Sequence, residues 1–238
     1  MPSNVLSLPA GDRCGELRKA AREKTSRWAH RSATGALWRS CVLPELSAAS
    51  GAARRHVEIR VELLDPANEL ACRHYRSWAG FSSLPGAQRQ LEIEIYATIL
   101  AVCLERRKNK KLHGHIRLSS FFTAHQVDLT DNRLILTEPG HAEQAITADQ
   151  REQLYQRYER EFDAGWDQAR PRELKLRAVE WSSLRDGVSI PGYRILNLCR
   201  ELDLPTPAFS DDDLRAIVER LDGHEEYSDD PSGGVDSA

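Results

Sequence analysis

Hydrophobic and polar residues recur with two different periods along this chain, and each period predicts a different element. Between residues 56 and 64, apolar residues such as Val57, Ile59 and Val61 alternate with polar ones, which is typical of a β-strand. Between residues 88 and 108, apolar positions recur every three to four residues and cover most of a helix circumference. The sequence therefore predicts the α/β fold class.

The other elements follow from the same periodicities and from residues that form turns or caps. Strands are predicted over 28–32, 115–119, 125–129 and 133–137, and helices over 11–24, 37–49, 68–78, 148–167, 173–184, 193–202 and 211–221. Pro44 must lie in the first turn of the second helix or break it. Ser210 is placed to cap the last helix, with Asp213 three residues later. Asp131 and Asn132 predict a tight turn between the last two strands.

These elements predict a mixed sheet flanked by helices, with a small helical region at the C-terminal side. We expect the α/β core domain to span residues 1–170, since Arg170 and Pro171 break the preceding helix. The helical C-terminal region is expected over 171–223. Residues 224–238 contain many Asp, Ser and Gly and few apolar side chains, so they predict a disordered acidic tail.

Composition restricts the class of protein. Hydrophobic residues make up 40% of the 238 residues, which favours a globular chain over a disordered one. No apolar run approaches the roughly 20 residues that span a bilayer, and the first residues lack the basic start of a signal peptide. The five cysteines are odd in number and widely spaced, so neither a disulfide framework nor a zinc site is expected. A cytoplasmic protein without a membrane segment or a bound metal is the expectation.

Charge divides the chain into a basic and an acidic half. Up to Leu118, 20 Lys and Arg outnumber 11 Asp and Glu, whereas after it 25 Asp and Glu outnumber 13 Lys and Arg. The two halves can neutralise each other, or the basic half can bind an anionic partner such as nucleic acid. Two basic clusters are candidate ligand-binding residues: Arg54, Arg55, Arg106, Arg107, Lys108, Lys110 and Lys111. The second cluster also ends the long helix, where cations complement the helix dipole.

Catalytic and cofactor motifs are largely missing from the sequence. It contains no glycine-rich nucleotide-binding loop and no metalloprotease or hydrolase signature, so no cofactor is expected. Asp65 lies where the predicted strand 56–64 meets the next helix, the place where open α/β sheets bind ligands. His113 and His115 would share one face of a strand, but no third metal ligand is close in sequence. His125, Asp128 and Asp131 combine a possible nucleophile or acid–base with carboxylates, although Asp131 is equally explained as a turn former.

The order of elements around Leu63-Leu64-Asp65-Pro66 resembles the phospholipase D-like fold, over roughly residues 15–166. It is similar in particular to bacterial regulatory versions, in which a strand ending L-L-D-P precedes a helix with polar residues. Active members of the family carry H-x-K followed by an aspartate. Here Val127 occupies the lysine position after His125, and Asp131 lies one residue before the position of the motif's aspartate.

The resemblance implies a degenerate phospholipase D-like domain, because phosphoryl transfer needs a histidine nucleophile and a cation beside the phosphate oxygens. The leading interpretation is a non-catalytic regulatory or protein-interaction module of a bacterial signalling or defence system, with a protein partner. One alternative is a divergent phosphodiesterase or nuclease that uses His125, Asp131 and Arg133. Another is a nucleic-acid-binding adaptor that uses the basic clusters.

Overall fold

A computed structural model describes residues 6–9, 13–53, 55–80, 82–137, 144–168, 192–201, 204 and 208–221 of the chain. Within these residues the strands are β1 (Leu6–Pro9), β2 (Arg27–Arg31), β3 (Val57–Leu64), β4 (Leu112–Ser119), β5 (Gln126–Thr130), β6 (Arg133–Thr137) and β7 (Gln144–Asp149). The helices are α1 (Arg13–Arg22), α2 (Ala36–Cys41), α3 (Leu43–Ala53), α4 (Glu69–Trp78), α5 (Ala87–Lys108), α6 (Gln153–Gln168), α7 (Gly192–Glu201) and α8 (Asp211–Leu221).

The seven strands form one mixed sheet in the order β1-β7-β6-β5-β2-β3-β4. Strands β2, β3 and β4 run parallel to one another, and the remaining neighbours are antiparallel. The prediction of a mixed α/β sheet flanked by helices is therefore confirmed. Because β2, β3 and β4 are parallel, their carboxyl ends lie at the same edge of the sheet.

Helices cover both faces of the sheet, and two apolar clusters result. The larger cluster joins the sheet to α1–α5, α7 and α8 and includes the wholly buried Trp38, Ile95 and Ile99. The smaller cluster lies under α6, where Phe162 and Trp166 pack against residues of β2, β5 and β6. Ile95 and Ile99 of α5 are buried in the same cluster as the apolar residues of β3. The broad apolar stripe predicted for the long helix therefore faces the core.

Most predicted elements are present with shifts of a few residues at their ends. Asn68 caps α4, since its side-chain oxygen accepts the Ala71 N–H at 3.1 Å. Ser210 and Asp213 form the reciprocal cap expected at the start of α8. The turn between β5 and β6 is also confirmed, and the Thr130 hydroxyl accepts the Arg133 N–H at 3.0 Å.

Three segments differ from the prediction, one of them being strand β1, which was not predicted. The helix predicted over 37–49 is two helices, α2 and α3, and Pro44 lies in the first turn of α3, where a missing N–H costs nothing. The helix predicted from 148 begins only at Gln153, because residues 144–149 pair with β6 and β1 as strand β7. A strand of only six residues gives little period-two signal. The helix predicted over 173–184 and the tail over 224–238 lie outside the described residues.

A disulfide joins Cys14 on α1 to Cys41 at the end of α2, with Cα atoms 5.6 Å apart. The expectation of no disulfide is therefore wrong. The two cysteines are 27 residues apart and lie on different helices, so their spacing carries no signal that they meet. Cys72, Cys103 and Cys199 are free thiols. Cytoplasmic location, for which the cysteine pattern was one argument, stays a prediction.

The C-terminal helices pack on the long helix α5. Leu214, Ile217 and Val218 of α8 are buried in the larger cluster, and Phe209 contacts the Tyr96 ring edge-on at 5.0 Å. Arg39 of α2 and Arg220 of α8 both bind the carboxylate of Glu94 on α5. Thus α2, α5 and α8 are tied through one carboxylate. Among the described residues, no helix has the length and apolar character needed to cross a membrane.

Candidate functional site at the carboxyl edge of the sheet

Backbone hydrogen bonds join the loops that follow β2, β3 and β4. The Leu64 N–H donates to the Ala33 carbonyl at 3.1 Å, and the Asp65 N–H donates to the Ser119 carbonyl at 2.8 Å. The Asn68 side chain also donates to the Ser120 carbonyl at 3.3 Å. This is the edge at which open α/β sheets place their ligands, so its polar side chains are the first candidates for function.

A buried hydrogen-bond network lies just below this edge, on the sheet face toward α2. One oxygen of Asp128 accepts the Trp28 indole N–H at 2.8 Å and lies 2.8 Å from His30 Nδ1. The other oxygen accepts from the Gln126 amide at 2.8 Å. The second ring nitrogen of His30, Nε2, lies 2.9 Å from the Ser32 hydroxyl. His30 and Asp128 are both fully buried, so this pairing satisfies polar groups that would otherwise be costly.

The network has the hydrogen-bond order of a Ser-His-Asp relay. Its surroundings, however, make it a structural element. The His30 ring is stacked on Trp38 with centroids 5.2 Å apart, and neither His30 nor Asp128 has exposed surface. The Ser32 hydroxyl already accepts the Gly35 N–H at 2.8 Å. Gly35 has φ +72°, and a Cβ there would approach Thr98 to 2.7 Å, so the turn that enters α2 depends on this glycine.

The residues of the predicted phosphodiesterase site are spread over the β5–β6 hairpin. His125 is half-buried at the start of β5, at the carboxyl edge. Asp131 lies at the opposite end, where its carboxylate accepts hydrogen bonds from the backbone and hydroxyl of Ser26. Arg133 forms ion pairs with Glu16 at 3.4 Å and Glu23 at 3.3 Å. Five residues of strand separate the two ends, a span of roughly 16 Å, so the structure does not bring Arg133 to His125.

Val127, in the place of the family's lysine, faces α6. It is 3% exposed and belongs to the apolar cluster with Leu129 and Phe162. His30 points to the opposite face of the sheet, toward Trp38. The two strand faces therefore separate His30 from Val127. The cation directly opposite Val127 on β2 is Arg31, which lies on the face under α6.

The face under α6 does hold cations, but they are paired or stacked. Arg31 forms a buried ion pair with Glu62 at 3.0 Å and lies over the Phe162 ring at 4.8 Å. Arg117 lies over the Trp166 ring at 4.4 Å. These contacts fix α6 on the sheet, because a guanidinium over an aromatic face is favourable where water is excluded.

Asp65, predicted to bind a ligand, shapes the loop between β3 and α4. Its carboxylate accepts the Ala67 N–H at 2.9 Å, and its carbonyl accepts the Asn68 N–H at 3.0 Å. The Cys72 thiol lies 3.5 Å from the same carbonyl. Burial raises the pKa of Cys72 to about 11, so the thiol stays protonated near neutral pH and can donate to this loop. Ligand binding by Asp65 itself stays a prediction.

A cleft of about 260 Å³ opens beside this loop, between α4 and the start of α5. Two arginines, Arg73 and Arg76, face it from α4. The residues that line the cleft are Pro66, Ala67, Glu69, Arg73, Arg76, Gln88 and Glu92. Sequence reasoning did not single out the two arginines. The signal was present, since Ala71, Cys72 and Tyr75 form the buried face of α4 and leave its other face polar.

The two basic clusters meet at the opposite, amino edge of the sheet. The Val57 N–H donates to the Lys111 carbonyl at 2.9 Å, which sets the start of β3 beside the start of β4. His56 Nδ1 lies 2.9 Å from His113 Nε2, and the Lys111 ammonium lies 3.3 Å from His56 Nε2. Arg106, Arg107, Lys108 and Lys110 lie at or just beyond the end of α5 nearby. Arg54 lies outside the described residues.

Several of these cations already have partners. Arg55 donates to the Glu23 carbonyl at 2.7 Å, and Lys108 pairs with Glu105 at 2.9 Å. His113 and His115 share the solvent-exposed face of β4, so the prediction that they lie on one face is confirmed. No group of three or more potential metal ligands occurs among the residues the structure describes.

No protein-family model and no curated protein matches the chain. Solved structures with a similar course of the chain include TrmBL2, an archaeal chromatin protein described as showing a novel mode of DNA binding. It is 12% identical with a TM-score of 0.42 over 69% of this chain, which spans about half (52%) of the TrmBL2 chain. Another is Nuc from Salmonella typhimurium, a phospholipase D family member, at 12% identity and a TM-score of 0.40, covering 71% of this chain and 97% of Nuc. At such values the resemblance to a phospholipase D-like fold is weak and establishes no function.

Proposed function

We propose that this protein is a non-catalytic regulatory or protein-interaction module that does not cleave phosphodiesters. The observation that carries the proposal is the burial of Val127 in the apolar cluster under α6. Attack of a histidine on a phosphodiester builds negative charge on the phosphate oxygens, and that charge needs a fixed cation beside the nucleophile. The position two residues after His125 offers a methyl-bearing side chain instead, and the guanidinium of Arg31 opposite it is already held by Glu62.

The positions of Asp131 and Arg133 support the same proposal. Arg133 is the nearest basic residue of the hairpin in sequence, and it is held by Glu16 and Glu23 at the other end of the hairpin. Asp131 caps the entry to β2 through Ser26. Both side chains therefore have structural partners that explain their presence.

An exposed apolar residue at the carboxyl edge favours a protein partner. Phe121 is 79% exposed in the loop after β4, and Leu70 is 59% exposed on α4. Asn68 links the N-terminus of α4 to Ser120, so Leu70 on α4 and Phe121 in the loop after β4 extend from neighbouring segments. Aromatic side chains such as Phe are enriched at protein contacts, and Leu70 adds apolar surface beside Phe121. A role in a bacterial signalling or defence system follows from the L-L-D-P resemblance alone and is part of the proposal.

Hydrolysis of bis-(p-nitrophenyl) phosphate by the purified chain tests the proposal directly. We expect no turnover above that of a buffer blank, with or without added divalent metal. His125→Ala is the decisive variant, since turnover that disappears in it would overturn the module interpretation in favour of the phosphodiesterase. Turnover that survives in His125→Ala and in a parallel preparation without the protein is background and leaves the expected result intact.

Nucleic-acid binding is a second candidate, favoured by the meeting of the two basic clusters at the amino edge. Lys111 and His56, from clusters more than 50 residues apart, are in contact there. If this edge binds phosphates, the affinity for DNA or RNA falls steeply as salt rises. Replacing Lys108, Lys110 and Lys111 with Gln should then weaken binding, whereas Lys19→Gln on α1 should not. Under the leading proposal, no complex tighter than about micromolar forms at physiological salt.

A further inference from the structure

We propose that the cleft between α4 and α5 binds a small ligand carrying a carboxylate or phosphate group, through Arg73 and Arg76, and that binding is transmitted to α8. This inference rests on the proposed regulatory function, for which it supplies a ligand class and a route of response. Arg73 and Arg76 are three residues apart on one helix, so their side chains point to the same side. Two adjacent guanidiniums offer the forked donors that carboxylate and phosphate oxygens accept.

Neither arginine has an anionic partner among the described residues. Arg76 is half-buried, and its Nε–H is shielded from solvent without any hydrogen-bond acceptor in the described part of the protein. Buried guanidinium N–H groups are ordinarily paired, so this N–H is free to donate to a ligand as far as the described residues show. An oxyanion in the cleft supplies that acceptor.

The acidic residues that line the same cleft have other roles. Glu92 accepts hydrogen bonds from Gln88 at 2.9 Å and from Arg89 at 2.8 Å. Glu69 is exposed in the first turn of α4, where a carboxylate interacts favourably with the helix dipole. The two arginines of α4 are therefore the cations left to meet a ligand, and the cleft volume fits a small anion better than a nucleotide.

Arg89 connects the cleft wall to the C-terminal helix. One of its nitrogens donates to Glu92 in the cleft, and another lies 3.6 Å from the Asp213 carboxylate on α8. The guanidinium also donates to the Ala208 carbonyl at 3.1 Å and lies over the Phe209 ring at 5.3 Å. Asp213 is the capping residue of α8, bound to the Ser210 N–H at 2.7 Å. A ligand that shifts Glu92 or Arg89 therefore acts on the start of α8.

Calorimetric titration of the full chain with inorganic phosphate and, separately, with succinate tests the site. We expect saturable binding of at least one probe, with sodium chloride at equal ionic strength giving none. Arg73→Gln/Arg76→Gln should weaken that binding about tenfold or more, because charge-assisted hydrogen bonds are lost. Arg157→Gln, an exposed arginine on α6, is the matched control and should bind as the wild type does. Phosphate-only or succinate-only binding identifies which oxyanion the ligand carries.

Hydrogen exchange of the α8 amides, measured with saturating probe, tests the transmission. Exchange at residues 211–221 should slow in the wild type and stay unchanged in Arg89→Gln. Binding of neither probe, or equal binding by the Arg73→Gln/Arg76→Gln variant, would overturn the site. Probe binding without any change in α8 exchange would overturn the transmission. These outcomes are independent of the phosphodiester assay, which alone decides whether the module is non-catalytic.

Discussion

Two polar regions at the same edge of the sheet differ in how fully their groups are paired. Around His30, both ring nitrogens and both carboxylate oxygens of Asp128 have partners, and the two side chains are completely buried. Beside α4, Arg73 and Arg76 face a cleft without an ion-pair partner among the described residues.

This difference in pairing indicates that the network around His30 contributes to stability and that the cleft beside α4 is suited to binding. A satisfied buried network fixes the conformation of the chain, and removing one member leaves the others unpaired at high cost. Unpaired cations at a cleft contribute little to folding, yet they keep their hydrogen-bonding capacity for a ligand. The residue types alone would suggest the reverse, because histidine with aspartate and serine is the more familiar sign of chemistry.

The largest effect is expected from Asp128→Ala. The change leaves the Trp28 indole, His30 and the Gln126 amide without their acceptor in a buried site. We expect a loss of about 3–5 kcal/mol in the free energy of unfolding, measured by urea denaturation. Asp167→Ala, an exposed aspartate on α6, should change it by less than about 0.5 kcal/mol. Equal effects of the two variants would show that the network is not structural.

A lysine introduced at Val127, where the phospholipase D motif has one, tests the packing under α6. Val127→Lys should lower the free energy of unfolding by about 3–5 kcal/mol, since it places an ammonium among Leu129 and Phe162 and opposite the buried guanidinium of Arg31. Val127→Met has similar length without charge and should cost only about 1–3 kcal/mol from its size. A lysine variant as stable as the methionine variant would indicate a polar passage toward His125 and would strengthen the phosphodiesterase alternative.

The disulfide should stabilise the buried network around His30. Cys41 is the last residue of α2, and Trp38 of the same helix stacks on the His30 ring. Replacing Cys14 and Cys41 with Ala should lower the free energy of unfolding by about 2–4 kcal/mol. The wild type should lose a similar amount when the reductant dithiothreitol is added, whereas the double variant should not respond. A wild type that melts at the same temperature with and without reductant would contradict this expectation.

The smallest effect is expected from the cleft. Arg73→Gln/Arg76→Gln should leave the free energy of unfolding within about 0.5 kcal/mol of the wild type, because neither guanidinium has an ion-pair partner among the described residues. The measurement is the same urea denaturation, without phosphate or other multivalent anions in the buffer. A loss above about 1 kcal/mol would place the two arginines with the structural network and would remove the contrast between the two regions.

Local patterns were sufficient for most of the secondary structure. The alternation of Val57, Ile59 and Val61 predicted β3, and the broad apolar stripe of α5 predicted its burial. The cap at Ser210 and the turn of the β5–β6 hairpin were predicted equally well. The mixed sheet flanked by helices follows from these elements. Strand β7 was missed because its six residues lie beside a helix with a strong periodic pattern, and strand β1 because four residues carry almost no periodicity.

Contacts between segments far apart in the sequence could not be predicted from local patterns. His30 and Asp128 are 98 residues apart, and Cys14 and Cys41 are 27 apart, so no local spacing links them. From the sequence, His125, Asp131 and Arg133 could be assigned to one hairpin. The length of β5 places His125 and Arg133 at opposite ends of that hairpin, so they do not meet. The sequence by itself determined the periodic elements, their caps and the absence of a lysine at Val127, because these depend on nearby residues. Only the tertiary structure decided which polar groups are paired, since pairing depends on how the sheet and helices bring separate segments together.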